Sequence, residues 1–283
     1  MRHALKAFAL ATATGACFFG FWLSAFVLSW VIVPLARFPL RGRPSIESQR
    51  RCQEIAGVAF RIFLAAMRTV RVLVFRPRNV RLDLPDDPFV MIANHPTLID
   101  MAALMAVRPR ICCVAKTELF RSVLVGPLLR HCGHIESAAT GSMEGATVMQ
   151  QALEKLEKGQ SILIFPEGTR SPAFGLNRFK AGVFEIARRA SVPIVPILIT
   201  CEPPTLQKGL QWHALPKQTA LYEIRQLPTL HAAAEGVDSR QLARETRSLY
   251  QERIDDWKAK LPECARLAPD SASAVWASRS TRT

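Results

Sequence analysis

The segment FVMIANHPTLID, Phe89 to Asp100, opens with five consecutive apolar residues and stops at a polar turn. An apolar run without alternation reads as a strand buried on both faces, which calls for helices on either side of a sheet. Pro96 offers no N–H to a ladder and biases His95 away from helical geometry, so the strand must end here with the imidazole on a loop. Asp100 then falls at the start of a helix, Met101 to Val107, where the chain can bend back until its carboxylate meets the ring. That makes a base and an orienter: the aspartate holds one ring nitrogen as N–H and leaves the other free to take a proton from a hydroxyl.

The same alternation continues outward from this segment. ICCVA (111–115), SILIF (161–165), IVPILI (194–199) and a stretch near 220–224 read as further strands. Between them, Ser142 to Lys158, with Ser142 as N-cap, and Gly182 to Ala190 read as helices. A last helix starts at Asp238, with Gln241 in the capping-box position and Leu242, Tyr250, Ile254, Trp257 and Leu261 on one stripe. The fold class expected is α/β: a mixed sheet flanked by helices. SILIF runs into a second polar turn, FPEGTRS (165–171), at the carboxyl end of the sheet, where such proteins build their sites. Gly168 permits close backbone approach, Thr169 and Ser171 carry hydroxyls, and Arg170 offers a planar fork suited to phosphate or carboxylate.

The chain has 283 residues, 49% of them hydrophobic, which is enough for a sizeable core and excludes disorder throughout. Its net charge of +14 is concentrated in one place. Between Arg37 and Arg81 stand eleven arginines (Arg37, Arg41, Arg43, Arg50, Arg51, Arg61, Arg68, Arg71, Arg76, Arg78 and Arg81) against Glu47 and Glu54, an excess of nine. Arg2 and Lys6 add two, which leaves +3 for residues 82–283. Just before the basic stretch, Ala7 to Ala36 is a run of 30 residues without Asp, Glu, Lys, Arg or His. That meets the length of a membrane-spanning helix and exceeds the ~7–15 apolar residues of a cleaved signal. A retained anchor is the reading, crossing fully or folding back at Gly15 or Gly20, and the juxtamembrane charge favours anionic headgroups over nucleic acid. The positive-inside rule sets the remainder on the cytoplasmic side. A second segment, residues 51–75, places Arg61, Arg68 and Arg71 on one face of an interfacial helix.

The seven cysteines show no metal-ligand spacing and their odd number argues against a disulfide framework. Cys112 and Cys113 read as small core residues. No internal repeat, GxGxxG, Walker A loop, GxSxG elbow or HExxH helix is present.

Taken together, NHPTLID and FPEGTRS, in this order and about seventy residues apart, resemble the signature blocks of the glycerolipid acyltransferase family, which includes bacterial 1-acylglycerol-3-phosphate acyltransferases. The likeness extends from about residue 75 to 230. It takes in Phe179-Lys180-Ala181-Gly182 and the proline-containing Val192 to Ile197. The resemblance implies that His95 is the general base and Asp100 its orienter. The deprotonated hydroxyl then attacks the thioester of acyl-CoA or an acyl carrier protein directly. It also implies substrate-binding roles for Asn94, Lys116, Glu167, Gly168, Thr169, Arg170, Ser171 and Lys180, with no metal and no cofactor beyond the acyl donor as co-substrate. Its partners would be membrane lipids and a lyso-lipid acceptor, not nucleic acid, at a bacterial inner membrane.

One departure bears on the acceptor. Where phosphate-binding members carry an Ile-Asp-Arg-like segment, this chain reads Gly133-His134-Ile135-Glu136-Ser137, without the arginine. Arg130, His131 and Lys116 are candidates to replace it. The acceptor expected first is 1-acylglycerol-3-phosphate, giving phosphatidic acid. A lyso-lipid with an amino-acid or glycan headgroup, a thioesterase or lipid hydrolase, and a silent membrane scaffold are the alternatives. The expected organisation is an anchoring, Arg-rich helical region (1–81), an αβ acyltransferase domain (82–261) and a disordered tail (262–283).

Overall fold

The structure, a computed structural model, describes residues 2–37, 45–75, 82–86, 88–137, 142–172, 175–207, 219–231 and 238–261. The expected tail and the arginines Arg41, Arg43, Arg76, Arg78 and Arg81 lie outside these residues.

In chain order the helices are α1 (Arg2–Val27), which passes through one π-turn (Leu28–Ile32) into α2 (Val33–Arg37), then α3 (Ser45–Thr69), α4 (Asp100–Val107), α5 (Thr117–Arg121), α6 (Gly126–His131), α7 (Ser142–Glu157), α8 (Ala181–Ala190) and α9 (Ser239–Ala259). The strands are β1 (Leu73–Phe75), β2 (Val90–Ala93), β3 (Cys112–Lys116), β4 (Ile135–Ser137), β5 (Ile162–Ile164), β6 (Pro193–Glu202), β7 (Ala220–Gln226) and β8 (Leu230–His231). They form one sheet in the order β1-β7-β6-β2-β5-β3-β4, with β8 also on β6. From β6 to β4 the pairing is parallel. β7 and β8 run antiparallel to β6, which makes the sheet mixed as expected.

Both faces of the parallel block are covered, and the strands divide their side chains between them. Met91, Ala93, Leu163, Val195 and Ile197 join Phe63, Leu64 and Met67 of α3 and the apolar residues of α4 on one face. Val90, Ile92, Ile162, Ile164, Ile194 and Leu198 join α7, α8 and α9 on the other. Period-two alternation against two helical layers explains why the runs 90–93, 162–164 and 194–199 contain no polar positions. The chain leaves β2 in the direction of β3 and leaves the adjacent β5 in the opposite direction, toward β6. The carboxyl ends of β2 and β5 therefore flank a topological switch point, where a crevice opens.

Several elements depart from the sequence expectations. β1 pairs in parallel with β7, so the sheet reaches back past residue 82 into the segment assigned to the anchor. β4, β8, α5 and α6 are too short to carry a periodic signal. α3 ends at Thr69, and Arg71 lies beyond it at φ 59° in the left-handed region, so it cannot share a helical face with Arg61 and Arg68. Arg61 Nη1 donates to the Ala106 carbonyl at the end of α4, 3.2 Å away, and α3 is an amphipathic helix of the core. In α9 the Asp238 side chain caps Arg240 N–H as expected, but Gln241 bonds Glu245 instead of closing a capping box. Ser142 begins α7, and its side chain lies outside the described residues.

At the N-terminus the helix runs unbroken through Gly15 and Gly20, so the apolar run does not fold back at either. Thr12–Ala36 is long and apolar enough to cross a membrane by length and composition. Phe18 and Phe21 meet Phe63 and Phe60, while Leu28 and Val33 cluster with Cys52 and Ala56, an antiparallel arrangement against α3. The outer side stays bare: Phe19 is 71% exposed, and Leu23, Phe26, Trp30, Val31 and Leu35 are exposed as well.

Candidate active site

The site grows from the two turns at the carboxyl ends of β2 and β5. Asn94, the first residue after β2, is buried, and its side chain makes both bonds of a backbone pair with Ile199 of β6: Nδ2 donates to the carbonyl at 2.8 Å and Oδ1 accepts the N–H at 2.7 Å. This amide stands in for one rung of the ladder after the chain has turned out of the sheet. His95 therefore leaves β2 in a defined direction.

His95 and Asp100 meet as the spacing implied. Nδ1 lies 2.7 Å from Asp100 Oδ2, and the carboxylate is fully buried. The carboxylate is the acceptor, so Nδ1 carries the proton and Nε2 keeps its lone pair. Asp100 also takes the Thr97 N–H on Oδ2 at 2.8 Å, and the hydroxyls of Thr97 and Tyr222 on Oδ1. The ring stacks on Phe165, with centroids 4.3 Å apart, and its side chain is 21% exposed. A ring held by a hydrogen bond at one edge and a stacking contact on one face retains little rotational freedom.

The second turn clasps the first. Glu167 is buried and accepts from the Ser171 hydroxyl, from Asn177 N–H at 2.7 Å, from Asn177 Nδ2 at 2.8 Å and from His95 N–H at 3.3 Å. Ser171 N–H donates to the His95 carbonyl at 2.7 Å. Arg247 of α9 reinforces the clasp through the carbonyls of Leu176 and Asn177. The structure thus places Asn94, Glu167 and Ser171 as fasteners of the histidine loop.

Other expected residues do face open space. A cavity of about 510 Å³ is lined by His95, Lys116, Glu118, Ser137, Gly168, Thr169 and Arg170, with Met101, Leu119 and Phe165 as its apolar wall. Arg170 spends one N–H on the Leu206 carbonyl at 3.4 Å, which leaves the rest of its fork for a ligand. Gly168 sits at φ 66°, in the left-handed region where a side chain is strained, and the Lys180 ammonium packs against the turn, 2.8 Å from where a Cβ would lie. Arg130 does not reach the cavity; its Nη1 donates to the Phe120 carbonyl at 2.6 Å. Ser137 does, directly across the β3–β4 register from Lys116.

Met101 and Leu119 also line a second cavity, of about 210 Å³ and almost wholly apolar, walled by α1, α3 and α4 with Phe21, Trp22, Phe60 and Ala102 among its residues. The polar site thus adjoins a greasy slot. Sequence reasoning missed Thr97, Phe165, Asn177, Tyr222 and Arg247 as members of the site. Thr97 and Phe165 stand inside the two turns, whereas nothing local marks the other three. Among the described residues no group of three or more His, Cys, Asp or Glu is placed to hold a metal ion. Cys112 and Cys113 are core residues; burial pushes the Cys112 thiol up to about 11.

A mixed α/β sheet with a buried aspartate–histidine pair at its switch point, a cationic cavity and an apolar slot defines a domain suited to acyl transfer. The comparisons with known proteins agree. An Acyltransferase family model matches residues 71–200. A 1-acyl-sn-glycerol-3-phosphate acyltransferase of Chlamydomonas reinhardtii is 29% identical over 51% of this chain and 43% of its own. Human 1-acyl-sn-glycerol-3-phosphate acyltransferase beta is 33% identical over 48% of this chain and 50% of its own. The crystal structure of the 1-acyl-sn-glycerophosphate acyltransferase PlsC of Thermotoga maritima superposes with a TM-score of 0.64 at 19% identity, covering 93% of this chain and all of that one. These matches support a glycerolipid acyltransferase domain over residues 71–200. The chain spans half or less of the length of these two curated relatives.

Proposed function

We propose that the protein is a membrane-seated O-acyltransferase that moves a fatty acyl group from acyl-CoA or an acyl carrier protein to the hydroxyl of a lyso-lipid, foremost 1-acylglycerol-3-phosphate. The observation that carries this reading is the His95–Asp100 pair opening onto a cavity that holds Lys116 and Arg170 on one side and joins an apolar slot on the other. His95 Nε2 takes the acceptor proton as its oxygen attacks the thioester carbonyl. The tetrahedral intermediate collapses to the new ester, and the imidazolium returns the proton to the departing thiolate. A thioester is already activated, so this scheme calls on no cofactor or metal. Lys116 and Arg170 suit the acceptor phosphate, and the slot suits a hydrocarbon chain. The bare apolar helix surface, continued by exposed Val123 and Leu124, supports a seat in the membrane, read here as a bacterial inner membrane with the site on the cytoplasmic side.

A second acceptor class is favoured by one feature: the cavity wall ends in Ser137, and Glu118 adds an acid beside the two cations. A zwitterionic or uncharged lyso-lipid headgroup would fit that balance. The deciding experiment gives purified detergent-solubilised protein a labelled long-chain acyl-CoA with 1-acylglycerol-3-phosphate, lyso-aminolipids or glycerol-3-phosphate. Rapid transfer to 1-acylglycerol-3-phosphate, at a KM raised by Arg170→Ala, is expected. Transfer only to another lyso-lipid would move the assignment to that acceptor. His95→Ala should lose at least about 100-fold in rate, the usual worth of a general base, and retention of more than about a tenth of the activity would remove the base assignment.

A further inference from the structure

We infer that Tyr222 is a positioning residue of the acyl-transfer site, whose hydroxyl sets the proton affinity of the His95–Asp100 pair from the far side of the carboxylate. The inference rests on His95 acting as the base. Tyr222 lies on β7, outside the residues matched by the family model, and 122 positions from Asp100. Its hydroxyl donates to Asp100 Oδ1 at 2.8 Å, while His95 holds Oδ2 at 2.7 Å. The tyrosine is fully buried, with its ring against Phe75 at a centroid distance of 5.4 Å.

The chemistry follows from what surrounds the carboxylate. Asp100 carries its charge in a desolvated site where its one ion-pair partner among the described residues is the histidine itself. The remaining donors are the Thr97 N–H and hydroxyl and the Tyr222 hydroxyl. From β6 the facing group is Cys201, whose thiol is pushed up to about 12 by burial and by Asp100 and is therefore neutral. On the cavity side the charged groups are Lys116, Glu118 and Arg170, and from the second turn the buried Glu167 side chain accepts the His95 N–H. Burial and the neighbouring carboxylate push the Tyr222 phenol well above its usual range, so it donates at every working pH.

A donor on Oδ1 draws charge away from the oxygen that holds His95 Nδ1–H. Removing it makes the carboxylate more basic, stabilises the imidazolium and keeps His95 protonated to higher pH. Tyr222→Phe should therefore move the acidic limb of kcat/KM upward by about one pH unit, the equivalent of one hydrogen bond to a charged group. On that limb the rate should fall about tenfold, and above it the rate and both KM values should stay within about threefold.

The test is the pH profile of the full chain in detergent for wild type, Tyr222→Phe and His95→Ala, with thermal melts as a check on folding. The chain has two tyrosines. Incorporating 3-fluorotyrosine into a Tyr250→Phe background therefore alters Tyr222 alone and makes its hydroxyl a stronger donor, which should move the limb down. Opposite shifts for the two changes establish the role. Tyr222→Phe activity that superimposes on wild type, or falls equally at all pH, overturns it while leaving the base assignment intact. Should Tyr222→Phe fail to fold, the fluorinated protein decides alone: a downward shift supports the inference and an unmoved limb overturns it. An active His95→Ala protein would remove both readings together.

Discussion

Asn94 shows how a side chain next to the site contributes without meeting substrate. Its amide satisfies the N–H and C=O of Ile199, two buried backbone groups that water cannot reach. Asn94→Ala leaves both unpaired at roughly 1–3 kcal/mol each. The expected outcome is a loss of about 2–4 kcal/mol in denaturant unfolding, with a larger loss of activity than of bound substrate because His95 loses its direction. Glu167 and Ser171 belong with it: Glu167 binds Asn177, Ser171 and the His95 backbone, so its charge is spent on loop geometry. A sequence reading finds such residues because they are polar and sit in the two turns. It cannot tell a fastener from a ligand contact, because that depends on which way a side chain points after the strands have paired.

At the element scale, His134 explains what the unusual segment before β4 does. Its Nδ1 accepts the Cys113 N–H at 3.0 Å, taking the place of a backbone partner at the start of β4. Burial, followed by the charge of Lys155, lowers its pKa from 6.5 to about 3. Between those values the unfolded chain binds a proton that the folded chain refuses, so stability falls as pH drops from 6.5 toward 3. The full effect amounts to about 5 kcal/mol. His134→Gln, which keeps an acceptor for Cys113, should flatten that part of the melting temperature against pH; an unchanged slope would place the acid sensitivity elsewhere. The helix α4 supplies the other element-scale expectation. Ala102 lines the apolar slot, and Ala102→Phe would fill part of its roughly 210 Å³. Donor preference should then shift to shorter acyl chains, read from competition between chain lengths, with little change for the shortest.

For the whole molecule, the apolar N-terminal helix and the layer that carries the candidate site are one packed unit. Ser29 Oγ donates to the Leu124 carbonyl at 2.8 Å and Trp30 Nε1 to the Val123 carbonyl at 3.0 Å, so the π-turn of the first helix is fastened to the segment between α5 and α6. Phe18, Phe21 and Trp22 wall the apolar slot. Deleting residues 1–36 is therefore expected to cost long-chain transfer as well as membrane affinity. In vesicle flotation the truncated protein should bind more weakly without becoming wholly soluble, since Val58, Ile62 and Val123 remain exposed. Complete release would limit the membrane seat to α1 and α2.

The alternation of unbroken apolar runs with helical stretches was enough to call an α/β sheet covered on both faces, and a proline after β2 was enough to put His95 on a loop within reach of Asp100. These are local effects, set by hydrophobic period and by φ at Pro96. The tertiary structure alone decided that β1 joins the sheet, that α3 packs into the core, and that Tyr222 and Arg247 close on the site from beyond residue 200. It also decided that Glu167 turns inward while Arg170 and Lys116 face the cavity. Contacts between distant positions depend on which strands become neighbours. That order is chosen by burying two faces of a sheet at once, a property that no single segment carries.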